Sequence, residues 1–255
     1  MNDALPLRQL PYEKAVDVWL IELNRPVSPG IDLDDFLSLE ERGRAARFVH
    51  ATDAFRFRLC RAFVRLGLAW YLNKAPLELR LTAGEYGKPS LSGPGSLYFN
   101  VSHSRELGLI AFTTFGEVGI DLEPIEQSIE AQEIASANFN GIEAGMIASA
   151  GTQLEQVRTF LHLWTRKEAV LKAIGFGILR GLDSVDVSQP SANLVSIQDA
   201  SGKFSETRWL VRDLELVGNF IGAVAAPAGD WVVRQWPIRA DDLISLIGKP
   251  RLELL

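Results

Sequence analysis

Two carboxylates stand two residues apart in the apolar run from residue 117 to residue 123. Because successive side chains of a strand point to opposite faces, Asp121 and Glu123 would share one face while apolar neighbours fill the other. Hard cations such as Mg2+ bind oxygen ligands, commonly one or two carboxylates together with waters and substrate phosphates. The spacing makes the pair a candidate cation site, although a solvated strand face produces the same pattern.

A third carboxylate is predicted to project from the apolar side of a helix. Residues 155–174 carry large apolar side chains at the 3.6-residue helical period, and Glu168 lies four residues after Trp164 and three before Leu171. A buried, unpaired carboxylate costs several kcal/mol, so Glu168 requires a metal ion, an arginine or Lys172 as its partner. A weak surface pair between Glu168 and Lys172 is the alternative. The position of Glu168 on the apolar side of the helix favours a functional carboxylate.

Together these residues match the needs of phosphoryl transfer. Three carboxylates could converge on Mg2+, and cationic side chains elsewhere could neutralise phosphate groups: Arg44, Lys88, His103 and Lys172. Such a reaction uses a metal bridging phosphate oxygens, cations on the developing charge, and a base for the attacking hydroxyl. The sequence contains no Gly-x-x-x-x-Gly-Lys loop, which argues against a P-loop enzyme.

Composition narrows the class of protein. The chain has 255 residues, 47% of them hydrophobic, and a single cysteine, which excludes an internal disulfide and favours a reducing, cytoplasmic location. Neither a signal peptide nor a membrane-spanning run is evident.

The charge is unevenly distributed along the chain. The net charge is −6, yet residues 42–88 hold ten Lys and Arg against three acidic residues. This asymmetry suggests a site for an anionic ligand or partner, and a solvated helix face with many arginines is the alternative. Uniform nucleic-acid binding is not expected from this balance.

The pattern of elements predicts an α+β fold made of two similar halves, residues 1–116 and 117–255. Helices are predicted to begin near Ser38, at a capping box with Glu41, and after His50, and a further helix spans residues 155–174. Residues 107–112 and 118–122 are predicted to form an antiparallel pair. Residues 124–155 are predicted to form short helices with a mobile segment around residues 141–151. Other strands are predicted at residues 16–23, 77–82, 97–104, 185–187, 194–197, 207–211 and 220–225, followed by a tail with two tryptophans.

Four motifs, in order, resemble the surfactin-synthetase type of 4′-phosphopantetheinyl transferases: Gly87–Lys88–Pro89, Phe99–Asn100–Val101–Ser102–His103–Ser104, Gly119–Ile120–Asp121–Leu122–Glu123, and Trp164–Thr165–Arg166–Lys167–Glu168–Ala169 followed by Lys172. A weaker similarity covers residues 38–65. Each motif alone is common, but the set is specific to the family. The resemblance implies a monomer with the two halves in a pseudo-twofold arrangement and an active site in the cleft between them.

The resemblance also implies a reaction, the transfer of the phosphopantetheine arm of coenzyme A to a serine of an apo carrier protein, with release of adenosine 3′,5′-bisphosphate. The carrier would be an acyl, peptidyl or polyketide carrier, and the metal Mg2+, with Mn2+ as a substitute. On this resemblance Asp121, Glu123 and Glu168 hold the metal, and Glu168 also takes the serine proton, directly or through a water. The other roles are these: Lys172 and His103 neutralise phosphate charge, Lys88 and Ser102 hold the nucleotide end, and Arg44 with Arg56 contacts the 3′-phosphate.

Two positions depart from the family pattern. Glu41 stands where relatives often carry a cation, and Phe57 where a small hydroxyl residue is frequent. We expect Glu41 to turn towards solvent and Lys167 to be a solvated cation or a carrier contact. The carrier is expected to dock on residues 175–182. Two other functions remain open: a different Mg2+-dependent enzyme acting on a nucleotide or phosphodiester, and a catalytically silent relative that serves as a binding protein.

Overall fold

The computed structural model describes residue 11 and residues 14–84, 86–93, 97–175, 181–188, 194–195 and 208–242. These residues form a mixed α+β fold, as the sequence predicts. The α-helices are α1 (Leu39–Ala45), α2 (Ala51–Leu72), α3 (Ala131–Asn138), α4 (Gly141–Ala148) and α5 (Gln153–Ile174). The strands are β1 (Ala15–Glu22), β2 (Leu81–Ala83), β3 (Pro89–Leu91), β4 (Tyr98–Ser104), β5 (Leu107–Thr113), β6 (Gly119–Pro124), β7 (Leu194–Val195), β8 (Trp209–Asp213), β9 (Phe220–Pro227) and β10 (Val232–Ile238).

The first sheet has the strand order β10-β1-β5-β4 and is covered on one face by α2. Strand β10 runs parallel to β1, whereas β5 is antiparallel to both β1 and β4. Buried Asp17 joins three elements, because it accepts hydrogen bonds from Arg234 at 2.6 and 2.8 Å and from Tyr71 at 2.8 Å. The end of the described chain is thereby fixed to the sheet that the beginning of the chain builds.

The second sheet has the order β6-β9-β8-β7, with antiparallel neighbours, and is covered by α5. Its other face packs on the first sheet, so that Val18 and Leu109 meet Ile120 and Val224 in one buried apolar cluster. The layers are therefore α2, first sheet, second sheet and α5. Strands β4 and β6 lie at the edges of their sheets and contact each other, because Asn100 Oδ1 accepts the Ile120 backbone N–H at 3.0 Å.

Local sequence signals set the helix ends. The predicted capping box is confirmed: Glu41 N–H donates to Ser38 Oγ at 3.2 Å, and Ser38 N–H donates to Glu41 at 2.9 Å. Thr152 and Glu155 form the same motif at the start of α5, and Gly175 ends that helix with a left-handed φ of 85°. In the described ranges, no helix combines the length and apolarity that crossing a bilayer requires.

The predicted pairing of residues 107–112 with residues 118–122 is wrong. Strand β5 is hydrogen-bonded to β1 and β4, whereas β6 leaves for the second sheet and pairs with β9. Both strands have a face in the core between the sheets, so the short connection joins two layers instead of forming a hairpin. The nearest strand in sequence is thus not the partner in the sheet.

Several element boundaries also differ from the sequence prediction. The short helices predicted within residues 124–155 are confirmed as α3 and α4, but α4 occupies most of the segment predicted to be mobile and begins at a capping box between Asn140 and Glu143. Within residues 77–82, a 3-10 turn at Pro76–Glu78 precedes short β2. Residues 185–187 contain only an isolated bridge, at Val185, and the predicted tail with its tryptophans includes β10. Parts of the ranges 194–197 and 207–211 lie outside the described residues.

Candidate active site

Strand β6 places Asp121 and Glu123 on the face of the second sheet that α5 covers. The alternation of the strand sends Ile120 and Leu122 into the core between the sheets, which leaves the carboxylates opposite them. Asp121 is 3% exposed, whereas Glu123 is half-buried. The predicted alternation along residues 118–123 is confirmed.

Helix α5 supplies Glu168 and, one turn later, Lys172. Glu168 is 4% exposed, as its register in the apolar stripe predicts. The helix lies directly on the strand at Gly119, where an added Cβ would stand 1.9 Å from the Ala169 carbonyl oxygen and 2.3 Å from the Ala173 nitrogen. Only glycine allows this approach, which brings the polar side chains of α5 beside those of β6.

Strand β4 adds the third side of the site with Ser102 and His103. Lys172 Nζ lies 2.5 Å from Asp121 Oδ1 and 3.2 Å from Ser102 Oγ. Ser102 Oγ is itself 3.3 Å from Asp121 Oδ1. Residues from three separate elements therefore meet around the Asp121 carboxylate.

Arg56 and Lys172 are close enough to His103 to affect its protonation. Burial lowers the pKa of His103, and the positive charges of Lys172 and Arg56 lower it further, which keeps the imidazole neutral at pH 7. The buried Nε of Arg56 has no hydrogen-bond partner among the described residues. The group therefore has unused donor capacity and a positive potential, which suit a phosphate ligand.

The carboxylates repel one another. Burial and then the Asp121 charge raise the pKa of Glu168 to about 7, against the opposing effect of Lys172. The pKa of Glu123 is also raised to about 7, by burial first and then by Asp121 and Glu168, although Lys172 and a hydrogen bond from Trp164 oppose the shift. In the described part of the chain, Asp121 Oδ2 and Glu168 Oε1 are buried without a hydrogen-bond partner. Such a pair of orphaned acceptors is costly unless a cation or proton joins them.

These oxygens fit a hard divalent cation. Mg2+ prefers carboxylate oxygens, and a cation would relieve the repulsion that raises both pKa values. As the side chains stand, no three acidic, histidine or cysteine residues within the described ranges are grouped closely enough to hold a metal ion. Lys172 occupies one oxygen of Asp121 instead. Binding of Mg2+ by Asp121, Glu123 and Glu168 therefore requires side-chain rotation and stays a prediction.

The raised pKa values predict a link between pH and Mg2+ binding. Because Glu123 and Glu168 have a usual pKa of 4.5, the metal-free folded protein binds more protons than the unfolded chain as pH rises from 4.5 to about 7, so its stability falls across that window. Mg2+ requires ionised carboxylates, so we expect it to raise the unfolding temperature more near pH 8 than near pH 6. Thermal unfolding with and without Mg2+ measures this difference, and equal shifts at both pH values would contradict the prediction.

Lys88 is engaged by protein groups. Its ammonium contacts Glu117 at 2.5 Å and the Ala173 carbonyl at 2.8 Å, and its side chain is 14% exposed. Burial lowers its pKa, whereas Glu117 opposes that change. In this arrangement Lys88 ties the loop before β3 to the end of α5. Its predicted contact with a nucleotide stays a prediction.

A cavity of about 750 Å3 extends from Arg44 to His103 between α1, α2 and the β2–β3 hairpin. The Arg44 guanidinium lies over the ring of Phe57, 5.3 Å from its centroid, and Phe57 contacts Phe48 at 5.3 Å between centroids. His103 is one of the residues that line this cavity. This position of Arg44 is compatible with its predicted contact to the 3′-phosphate, which stays a prediction.

Glu41 does not turn towards solvent, so that expectation is wrong. It is buried, with Arg61 on one carboxylate oxygen at 2.5 and 2.9 Å and Arg65 on the other at 2.6 Å. Burial alone would raise the pKa of this carboxyl, but the Ser38 amide and the two arginines lower it overall. Glu41 is thus an ionised group inside the cavity wall.

Lys167 is not solvated either. It is 0% exposed and pairs with fully buried Glu143 at 2.7 Å, while its ammonium also donates to the carbonyls of Leu182, at 2.9 Å, and Val185. Glu143 in turn accepts the Val187 N–H at 2.9 Å. The pair ties α5 to α4 and to the segment after residue 181.

Trp164 is a site residue that the sequence analysis does not identify: it lies beside Glu123 and acts to lower the pKa of that carboxyl. The available signal was the position of Trp164 one turn before Glu168 on the same helix face. Cys60 is buried, and burial raises its pKa to about 11. Most of the predicted docking segment, residues 176–180 with Phe176, Ile178 and Leu179, lies outside the described residues.

Comparison with known proteins identifies the family. Residues 117–225 match the sequence profile of the 4′-phosphopantetheinyl transferase superfamily. The chain is 34% identical over 204 residues to a putative 4′-phosphopantetheinyl transferase of Synechocystis sp., covering 79% of this chain and 80% of the relative. It is 31% identical over 224 residues to the 4′-phosphopantetheinyl transferase HetI of Nostoc sp., with 87% and 91% covered. It is also 31% identical over 183 residues to Sfp of Bacillus subtilis, a 4′-phosphopantetheinyl transferase, with 71% and 80% covered. The chain belongs to the 4′-phosphopantetheinyl transferase superfamily.

Proposed function

We propose that this chain is an enzyme that transfers the 4′-phosphopantetheine arm of coenzyme A to a serine of an apo carrier protein, with Mg2+ and with release of adenosine 3′,5′-bisphosphate. The observation that carries the proposal is the meeting of Asp121, Glu168, Lys172 and His103 from three elements, with orphaned carboxylate oxygens beside a group of cations. Family membership supports the same reaction.

The proposed roles follow from position and charge. Asp121, Glu123 and Glu168 would hold Mg2+, or Mn2+ in its place, and the ion when bound supplies charge neutralisation to the pyrophosphate oxygens. Lys172 leaves Asp121 for a phosphate oxygen, and His103 donates a hydrogen bond to the same group. Arg44 and Arg56 serve the 3′-phosphate, and Lys88 and Ser102 the nucleotide end.

Glu168 acts as the base. In the metal-free protein the pKa of Glu168 is raised to about 7, and a carboxylate beside the carrier serine is suited to accept a proton during the reaction. The carboxylate takes the proton of the carrier serine hydroxyl, directly or through a water. The serine oxygen then forms a bond to the phosphorus next to the pantetheine arm, and the bond from that phosphorus to the bridging oxygen of the pyrophosphate breaks. The leaving phosphate departs as part of adenosine 3′,5′-bisphosphate.

The proposal extends to the architecture and partners. Residues 1–116 and 117–255 would form two halves related by a pseudo-twofold axis, supported by the repeated plan of one long helix over one four-stranded sheet. The active site would lie in the cleft where β4 and β6 meet. The enzyme would act as a cytoplasmic monomer, without nucleic acid or membrane, on an acyl, peptidyl or polyketide carrier that docks near residues 175–182.

A carrier-modification assay tests the function. The protein, coenzyme A and Mg2+ are incubated with apo carriers of the fatty-acid, polyketide and peptide-synthetase classes, and intact mass is measured. We expect a mass gain of one phosphopantetheine group on at least one carrier, lost when its acceptor serine is replaced by alanine. Chelation should stop the transfer and added Mg2+ should restore it. No mass gain on any of the three classes would contradict the proposal.

A further inference from the structure

In the cavity next to His103, the carboxylate of Glu41 forms ion pairs with two of the arginines that line the cavity. Glu41, Arg61 and Arg65 line this cavity together with Arg44. Both Arg61 nitrogens that face Glu41 contact one carboxylate oxygen, at 2.5 and 2.9 Å, and Arg65 contacts the other at 2.6 Å. These are short, charge-assisted contacts of the strong kind.

Arg65 has little capacity left for a ligand. Beyond Glu41, its Nη1 donates to the carbonyls of Pro76 and Leu79, each at 3.0 Å, and the side chain is 4% exposed. Arg61 is more open, since its side chain is 20% exposed. It is therefore the arginine that would gain most freedom to bind an anion if the Glu41 charge were removed.

We infer that Glu41 is a specificity-determining positioning residue, which engages Arg61 and Arg65 and so limits how strongly the 3′-phosphate of coenzyme A contributes to substrate selection. The inference rests on the proposed function, which places the adenosine end of coenzyme A in this cavity. A phosphate monoester carries a charge of about −1.5 to −2 near neutral pH. The Glu41 carboxylate would therefore repel the 3′-phosphate and also keep Arg61 and Arg65 from binding it. Arg44, which lines the same cavity and lies over the ring of Phe57, would contact that phosphate.

The test replaces the charge without removing the side chain. Glu41→Gln keeps the size of the residue, and glutamine also completes the capping box with Ser38. Glu133→Gln is the matched control, because Glu133 is exposed on α3 and is not among the residues that line the cavity. Two substrates are compared for each variant, coenzyme A and 3′-dephospho-coenzyme A, as the ratio of their kcat/KM values.

We expect Glu41→Gln to raise this ratio roughly tenfold over the wild-type value, as one additional charge-assisted contact to the 3′-phosphate would do. Glu133→Gln should leave the ratio within about twofold of wild type. An unchanged or lower ratio in Glu41→Gln, with an unfolding temperature close to wild type, would overturn the inference. A lower ratio would mean that Glu41 holds the arginines in place for the phosphate.

Nucleotide binding separates this inference from the proposed function. Calorimetry with adenosine 3′,5′-bisphosphate and adenosine 5′-monophosphate requires no carrier and no turnover. The ratio of the two affinities should rise in Glu41→Gln by a factor similar to that for kcat/KM, and should fall on adding salt. If no carrier is modified but this ratio rises, the proposed function fails and the assignment of Glu41 stands. If carriers are modified but the ratio does not rise, only the assignment fails.

Discussion

Replacing Glu168 with glutamine is expected to lower kcat for carrier modification by roughly 10²–10⁴-fold, the range for loss of a general base. The amide keeps the shape of the side chain but neither accepts the serine proton nor offers an anionic oxygen to Mg2+. The fold should persist, and the metal-free unfolding temperature should be equal to or above that of the wild type, because the substitution removes a repulsion with Asp121. Initial rates of carrier modification and thermal unfolding measure the two effects.

Glu155→Gln is the matched control for that experiment. Glu155 is an exposed residue on the same helix, and glutamine can fill its place in the capping box with Thr152. We expect nearly wild-type transfer from this variant. If Glu168→Gln also retained full transfer or full cellular function, the assigned base would be wrong, and a silent binding protein would become the better description of the molecule.

Replacing Lys167 with methionine is expected to destabilise the protein by about 3–5 kcal/mol, the cost of breaking a buried ion pair from one side. Glu143 is 0% exposed, so its charge would lose its partner without gaining water. The carbonyls of Leu182 and Val185 would lose a donor at the same time. Urea unfolding followed by circular dichroism measures the change in the free energy of unfolding.

A double variant identifies the cause of that loss. In Lys167→Met with Glu143→Leu, the uncompensated charge is gone, so we expect part of the stability to return. Arg158→Met, at an exposed position of the same helix, should change stability by no more than about 0.5 kcal/mol. A Lys167→Met protein as stable as the Arg158→Met protein would show that the buried pair is not holding these segments together.

The elements that the sequence predicts well depend on neighbours along the chain. The capping box of Ser38 and Glu41, the apolar stripe of α5 and the alternation in β6 each relate residues that are only two to four positions apart in the sequence. Strand pairing is different, since it is decided by which apolar faces meet in space. Strand β10 pairs with β1 across more than two hundred residues, and no local pattern indicates that partnership.

The same distinction applies to the site. The position of Glu168 in the apolar stripe of its helix predicts its burial. The family resemblance predicts that Lys172 and His103 belong to the same site. Lys167 and Glu41 were misjudged because the burial of a charge depends on partners that distant segments supply. From sequence alone, a charged residue is predicted to be solvated. Only the structure shows that Glu143 stabilises buried Lys167 and that two arginines stabilise buried Glu41.

The contact at Gly119 has a consequence for motion. Since the backbone of β6 lies against the backbone of α5 without an intervening side chain, strand and helix have no space to slide or tilt independently. We therefore expect β6 and α5, which carry Asp121 and Glu168, to move as one rigid body. Adjustment on ligand binding is left to side-chain torsions, such as the departure of Lys172 from Asp121, and to displacement of this body relative to β4 with its Ser102 and His103.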